Sequence, residues 1–410
     1  MFSPRRHTKP TGFSSFAGLA VLLVSASLSL QCRAEAASGS ERLPGLSYTN
    51  YRAADVPWSI HVVKVARHDT GYRIASIHAS RRAIGLETLS EQLASLPIQA
   101  GKPLGAINGD FYLRDKTYAG LPRGLQVTSG EMLSAPSGSS VFWEDALGEP
   151  HTADVVSRLQ VSWPGGNVSV LGLNGERSAT NLELYTAAAG TSTHTLSGRE
   201  FVLGRTDSSR WLPLRVGQSY TAKVLEVREQ GDTPLTHDTM VLSAGPALLK
   251  TLPLLQTGAV LHLSTATSPA LHGIRTALSG GPILLRQGRR VKLPDAGSEA
   301  YEFSSREERH PRSAIGWNDA FFFLVEVDGR QKTLSIGMTL DELAGFLKQL
   351  GCTDAMNLDG GGSATLWYDG SVRNSPCDRA EREIANCLVI LDVTETQAKS
   401  RTGGQPGGRQ

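Results

Sequence analysis

Three consecutive glycines behind an aspartate constrain this chain more than any other stretch. In Asn357-Leu358-Asp359-Gly360-Gly361-Gly362-Ser363, an apolar run leads in through Ala355 and Met356. A second leads out through Ala364, Thr365, Leu366, Trp367 and Tyr368. A strand that ends in a carboxylate, meets glycines and restarts as a strand is not a linker, because linkers lack β-prone flanks. Glycine permits positive φ and lets backbone approach a ligand closely. Asp359 is therefore expected at the mouth of a turn, beside backbone N–H groups. That arrangement can hold a carboxylate and a polar or anionic substrate side by side. The competing reading is a tight β-turn with a turn-forming Asp.

The 43 glycines and 6% aromatic residues among 410 positions imply many turns and a strand-rich protein. The expected fold class is α+β: one catalytic domain over 45–393, with mixed or antiparallel sheet and few helices. Residues 1–36 read as an export signal, with Arg5, Arg6 and Lys9 before an apolar stretch from Phe16 to Leu30 and Ala34-Glu35-Ala36 as a cleavage site. The tail 394–410 is polar and reads as disordered. Four of the 41 basic residues and one of the 39 acidic residues lie in 1–36, which leaves 37 against 38. The apparent basicity belongs to the signal, so nucleic-acid binding loses its electrostatic motive. The expected location is exported, periplasmic or secreted, with no transmembrane segment after cleavage.

In an oxidising compartment Cys377 and Cys387, which flank one short segment, are a candidate disulfide, and Cys352 is expected as a buried thiol. No Cys/His spacing resembles a zinc site, and neither metal nor cofactor is expected.

Along the chain, Trp58 to Val65 and Tyr72 to His78 read as strands. Thr88-x-x-Glu91 is a capping box ahead of Leu89, Leu93 and Leu96 at helical spacing. The run Leu104 to Tyr112 ends in Asn108-Gly109-Asp110, and a hairpin is expected around Ser129-Gly130. Residues 150–270 read as short strands with regular turn signals. Ser279-Gly280-Gly281-Pro282 is a second glycine-rich junction, and the basic cluster 286–292 after it reads as a solvated face. The segment 295–309 reads as a loop or lid. Thr339 to Leu350 is the clearest helix, capped by Thr339-x-x-Glu342 and ended by Gly351. Asp369-Gly370 closes the following hairpin.

Four pieces in this order resemble the phosphodiester glycosidase family, whose animal member is the mannose-6-phosphate uncovering enzyme. They are Asn108 to Tyr112, Ser279 to Pro282, Pro311 to Gly316, and Asp354 to Thr365. The loop Asn374 to Asn386 resembles the family's closing motif. The resemblance extends over roughly 50–393, although 150–270 matches only in texture, and Ser313 stands where a Thr is usual.

The resemblance implies cleavage of a sugar-1-phosphodiester, such as an N-acetylglucosamine-1-phosphodiester, at the anomeric carbon. Ordinary glycosidases use two carboxylates, one to protonate a poor leaving group. Phosphate is already a weak base and needs less help. The expected catalytic residues are Asp359 as base or nucleophile, Asp110 as second acid or sugar ligand, and Arg312 as bidentate phosphate clamp. All three are expected in one cavity. The substrate-binding candidates are Asn108, Gly280, Gly281, His310, Asn357, Gly360, Gly361, Gly362, Ser363, Asp378, Glu381 and Arg382. Each has a plainer competitor: a structural ion pair for Arg312, a surface loop for His310, a turn for Asp110, a rim salt-bridge cluster for Asp378, Glu381 and Arg382. The expected partner is a carbohydrate phosphodiester or acidic glycan. The alternatives from other classes are a non-catalytic exported polysaccharide-binding module and a metal-dependent phosphodiesterase.

Overall fold

Burial alternates along Val260–Ser268 in the rhythm of a strand with one wet face, whereas Arg312–Trp317 is buried at every position. The first pattern belongs to an outer sheet, the second to a strand covered on both sides. The computed structural model describes residues 32–35 and 45–394, except 54, 80–83, 115–116, 171, 207–210, 253–254 and 294–305. The expected signal (apart from 32–35), most of the expected lid and the tail beyond Thr394 lie outside the described residues. Residues 32–35 form an edge strand on Leu46–Ala53.

Three sheets carry the fold. The eight-stranded sheet has the spatial order Cys32–Glu35, Leu46–Ala53, Ser59–Ala66, Phe321–Val327, Arg312–Trp317, Asp354–Asn357, Ile283–Arg286 and Arg289–Arg290. The five-stranded sheet runs Ser371–Val372, Leu366–Tyr368, Lys102–Asn108, Asn386–Asp392 and Tyr72–His78. The twelve-stranded sheet is built largely from the segment between Gln126 and Gly280. Among the described residues every strand pair is antiparallel except Gly172–Leu173 with Leu182–Tyr185.

The eight- and five-stranded sheets share a core in which Val63, Leu324, Met356 and Leu358 meet Ile107, Leu366 and Leu388. Helix Leu89–Ala94 covers the outer face of the five-stranded sheet with Leu89 and Leu93. Helix Leu340–Gln349 packs on strands Ile283–Arg286 and Asp354–Asn357. Both helices start with the expected capping boxes, at Thr88 and Thr339. The second can lie close because position 316 is glycine: a Cβ there would stand 2.7 Å from Cys352 Sγ. With α-helices of only six and ten residues described, mostly β is the better term than α+β. No described helix is long and apolar enough to cross a membrane.

The candidate disulfide is not formed. Cys387 is fully buried in strand Asn386–Asp392, packed with Leu89 and Ile77, whereas the half-buried Cys377 lies beside Arg330 and Asp378. A strand residue facing a helix-covered core cannot reach a thiol in the outer loop. Cys352 is buried, as expected.

Several carboxyls are held in apolar surroundings. Glu183 is 3% exposed and accepts one hydrogen bond, from Gly175 N–H at 2.9 Å, and burial pushes it up to about 8. A pKa raised on folding adds stability that is fully present below the unfolded value and is lost as pH rises through the folded one. The melting temperature is therefore expected to fall between pH 5 and pH 9. Glu183→Gln should flatten that decline, the difference at pH 9 being on the order of a few kcal/mol. Parallel melting curves for both chains across that range would contradict this.

Candidate functional site

The carboxamide of Asn108 ties the two acidic turns together. Its Nδ2 donates to the Asp359 carbonyl at 2.7 Å, and its Oδ1 accepts from Ser313 Oγ at 2.6 Å and Thr365 N–H at 3.1 Å. Asn108 ends strand Lys102–Asn108, and Ser313 lies in Arg312–Trp317, so one side chain joins two sheets. Backbone bonds reinforce the joint: Asp359 N–H donates to Gly109 O, Leu358 N–H to Ser313 O and Gly361 N–H to Pro311 O, at 2.8–2.9 Å. Asn386 holds the other side, accepting from Asp110 N–H at its Oδ1 (2.8 Å) and from Gly109 N–H at its carbonyl (2.9 Å). Position 109 must be glycine for this, since a Cβ would fall 2.1 Å from Asn386 Oδ1.

The two aspartates are thus fixed on neighbouring turns, and each feels burial. Asp110 is 4% exposed; burial, helped by the negative charge of Asp359, pushes it up to about 7 against the Gly124 and Phe111 N–H groups and Arg123. Asp359 is half-buried, and burial raises it to about 6. Its carboxylate is restrained from rising further by the Ser363 hydroxyl, the Gly360 N–H at 2.8 Å, Arg382 and Arg114. Near neutral pH such a pair can hold one proton between two roles, donor and base.

Arginines surround the glycine loop. Arg382 pairs with Asp378 (Nε–Oδ2 3.0 Å), and this pair lies directly over Gly362. Arg330 stands over Gly361, which has φ +61°, and bonds His310 Nδ1 at 3.3 Å. His310 also meets Glu308 at 3.0 Å, and burial and the neighbouring arginines lower its pKa. Arg114 is exposed and also lines a 700 Å³ cleft with Tyr118, Arg177 and His194.

Arg312 does not join the two aspartates. The residue is 4% exposed, and its guanidinium donates to the carbonyls of Met338 and Glu308, each at 2.9 Å. Strand residues alternate faces, so when Ser313 points to Asn108 its neighbour points away. Glu381 is likewise committed: its carboxylate accepts from Ser90 N–H at 3.0 Å and Ser90 Oγ at 2.6 Å, in the first turn of helix Leu89–Ala94. Gly280 and Gly281 join the twelve- to the eight-stranded sheet, and Gly281 N–H is spent on Asn357 O at 2.7 Å. The Asn357 amide donates to the carbonyls of Gly281 and Leu358 and serves the same seam. Gly360, Gly361, Gly362, Ser363, Asp378 and Arg382 remain around Asp359.

Sequence reasoning missed Tyr112, Asn386, Arg114 and Arg330 as site residues. Tyr112 donates to Glu383 O at 2.7 Å and meets Ser363. Tyr112 and Asn386 end two of the motifs quoted above, a signal that was there to use. Arg330 follows an Asp-Gly turn and carries none.

The family model described as phosphodiester glycosidase matches residues 221–391. Asp359 lies within that match and Asp110 outside it. The N-acetylglucosamine-1-phosphodiester alpha-N-acetylglucosaminidase of Mus musculus is 30% identical over 119 residues, 28% of this chain and 22% of the mouse protein. An SPbeta prophage-derived uncharacterized protein, YomE of Bacillus subtilis, is 36% identical over 83 residues, 20% of this chain and 13% of its own. The matches thus span less than a quarter of either curated relative. Among solved structures, a hypothetical protein from Synechocystis has TM-score 0.67 at 21% identity, over 85% of this chain and 62% of that one. A protein from Burkholderia pseudomallei named as a candidate exported protein has TM-score 0.62 at 18% identity, over 84% and 77%. At these identities the structures show a shared fold.

Asn108→Ala would strip a partner from two buried donors and one carbonyl, and an unsatisfied buried group costs about 1–3 kcal/mol. The expected loss is on the order of 3 kcal/mol in chemical denaturation. An unfolding midpoint unchanged by Asn108→Ala would show that the turns are held by backbone bonds alone.

Proposed function

We propose that this chain, a member of the phosphodiester glycosidase family, hydrolyses a sugar-1-phosphodiester at the anomeric carbon, with Asp359 and Asp110 as its two working carboxyl groups. The observation that carries the reading is the pair itself: two aspartates on turns clipped together by Asn108, both shifted upward by burial. The ionised Asp359 attacks the anomeric carbon or deprotonates the water that does. The bond from that carbon to the phosphate oxygen breaks, and its electron pair leaves with the phosphomonoester. Asp110 supplies a proton to the departing oxygen or grips a sugar hydroxyl. Water ends as the new anomeric hydroxyl.

The phosphate needs a cation, and Arg312 is committed to backbone carbonyls. Arg382, Arg330 and Arg114 take that place in the proposal, being grouped around the glycine loop and Asp359. The cleft that Arg114 lines offers room for the group beyond the phosphate. The mouse relative's name supports an N-acetylglucosamine-1-phosphodiester-like substrate. The basic and apolar amino terminus supports export to the periplasm or beyond, where cell-envelope or exopolysaccharide glycans are the natural substrate pool.

Asp359→Asn should lower kcat on the order of a hundred-fold or more while the melting temperature holds, because the amide keeps the turn but not the charge. Arg382→Gln should raise KM, whereas Arg312→Lys should lower the melting temperature first. Near-normal turnover by a folded Asp359→Asn chain would hand the site to the binding-module reading.

The pH profile gives a separate check. With Asp359 ionised and Asp110 protonated in the active form, kcat/KM rises through about 6 and falls through about 7. These limbs belong to the coupled pair. Asp110→Asn should remove the alkaline limb, and an alkaline limb that survives would take the acid role away from Asp110.

A further inference from the structure

A second buried polar cluster stands apart from the two aspartates. His61 lies in strand Ser59–Ala66, opposite Glu326 in the antiparallel register with Phe321–Val327, and Asp328 follows that strand's end. The three residues are 4%, 1% and 1% exposed. One ligand atom from each lies within 4.8 Å of the others, and His61 Nε2 is 3.0 Å from Asp328 Oδ2.

Charge makes this cluster unusual. Among the described residues, no lysine or arginine pairs with either carboxylate. Glu326 Oε2 is buried with no hydrogen-bond partner at all. A buried, unpartnered carboxylate oxygen is expensive, and a second carboxylate beside it makes matters worse. Other interactions leave the donors aimed inward. The Asp328 Oδ1 accepts from Ser375 N–H at 2.7 Å, which leaves Oδ2 turned to the histidine. Tyr48 Oη lies 2.7 Å from His61 Nδ1. Nε2 lies 3.0 Å from both Asp328 Oδ2 and Ser59 Oγ, and a proton on Nδ1 shared with Tyr48 would free its lone pair for a cation seated between it and the carboxylates. A partner on the far nitrogen is the usual accompaniment of a metal-bound imidazole.

We propose that His61, Glu326 and Asp328 form a binding site for one divalent transition-metal cation, with Zn²⁺ as the fitting probe. Two carboxylates neutralise a divalent charge, and one imidazole with two carboxylates is a donor set of the zinc type. Calcium and magnesium prefer all-oxygen shells. The site is structural. Asn374 bonds Glu326 and also holds Leu366 N–H (2.9 Å) and Ala364 O (3.1 Å), and Ser375 is held by Asp328. The cation would thus anchor the segment that carries Asp378 to the strand leaving the glycine loop. Spacing along the chain could not reveal it, because 267 positions separate His61 from Asp328.

The test uses the full chain stripped with chelator and then titrated. One equivalent of Co²⁺ should give visible d–d absorption, Zn²⁺ should displace it, and Zn²⁺ should raise the melting temperature. Glu326→Gln and His61→Gln should each weaken Zn²⁺ binding at least about tenfold. Asp359→Asn should bind like the unmodified chain, so this result is independent of the hydrolase reading. A stripped unmodified chain that shows neither absorption nor a melting shift at saturating metal would overturn the proposal, leaving a hydrogen-bonded His–Asp pair beside a protonated Glu326. Binding undiminished in both variants would overturn it as well. If either variant does not fold, the Co²⁺ titration of the unmodified chain decides alone.

Discussion

The hydrogen bonds of one carboxamide, Asn108, hold the arrangement on which the rest depends. A backbone turn alone does not fix a carboxylate, because loops move more than the strands they connect. Here a side chain at a strand end accepts two donors and gives one, all within 3.1 Å, and every partner is on another segment. The five- and eight-stranded sheets are therefore locked together where the turns of Asp110 and Asp359 emerge. Their shared core, with Leu358 fully buried just before Asp359, supplies the bulk stabilisation, and the amide supplies the register.

That rigidity lets burial work on the acids. Held on adjacent turns beneath protein, both are raised chiefly by burial, Asp110 also by the charge of Asp359, and the local donors decide which yields first. Asp359 has a hydroxyl, an N–H and two guanidinium groups in its favour, so it ionises before Asp110. The arginines also divide their labour. Arg312 donates to two carbonyls in the interior and braces the segment before the strand. Arg382 and Arg330 lie over the glycine loop instead.

The glycine loop connects the two proposed sites. It begins at the acid pair and ends where Asn374 fastens Ala364 and Leu366, and Asn374 in turn leans on Glu326. One set of contacts sets the position of Asp359, the other the position of the segment bearing Asp378 and Arg382. Loosening either end changes the shape of the same loop, although no residue belongs to both.

Local chemistry was legible in the sequence. Both helix starts, the Ser129-Gly130 and Asp369-Gly370 turns and the strand before Asp359 rest on interactions among residues a few positions apart, which the sequence states directly. The expectation that Asp110 and Asp359 share a site rested on each lying where an apolar strand meets a glycine-rich junction, not on spacing. What only the tertiary structure decided is which way side chains face. Arg312 and Ser313 are adjacent, and the register opposite Val327 and Glu326 sends one to the carbonyls and the other to Asn108. A slip of one residue would exchange them, and nothing local in the sequence specifies that pairing. The Cys377–Cys387 bridge failed for the same reason, since the strand turns Cys387 into a covered core. The cluster of His61, Glu326 and Asp328 is also a product of strand pairing, assembled from two remote segments by hydrogen bonds that carry no sequence signature of their own.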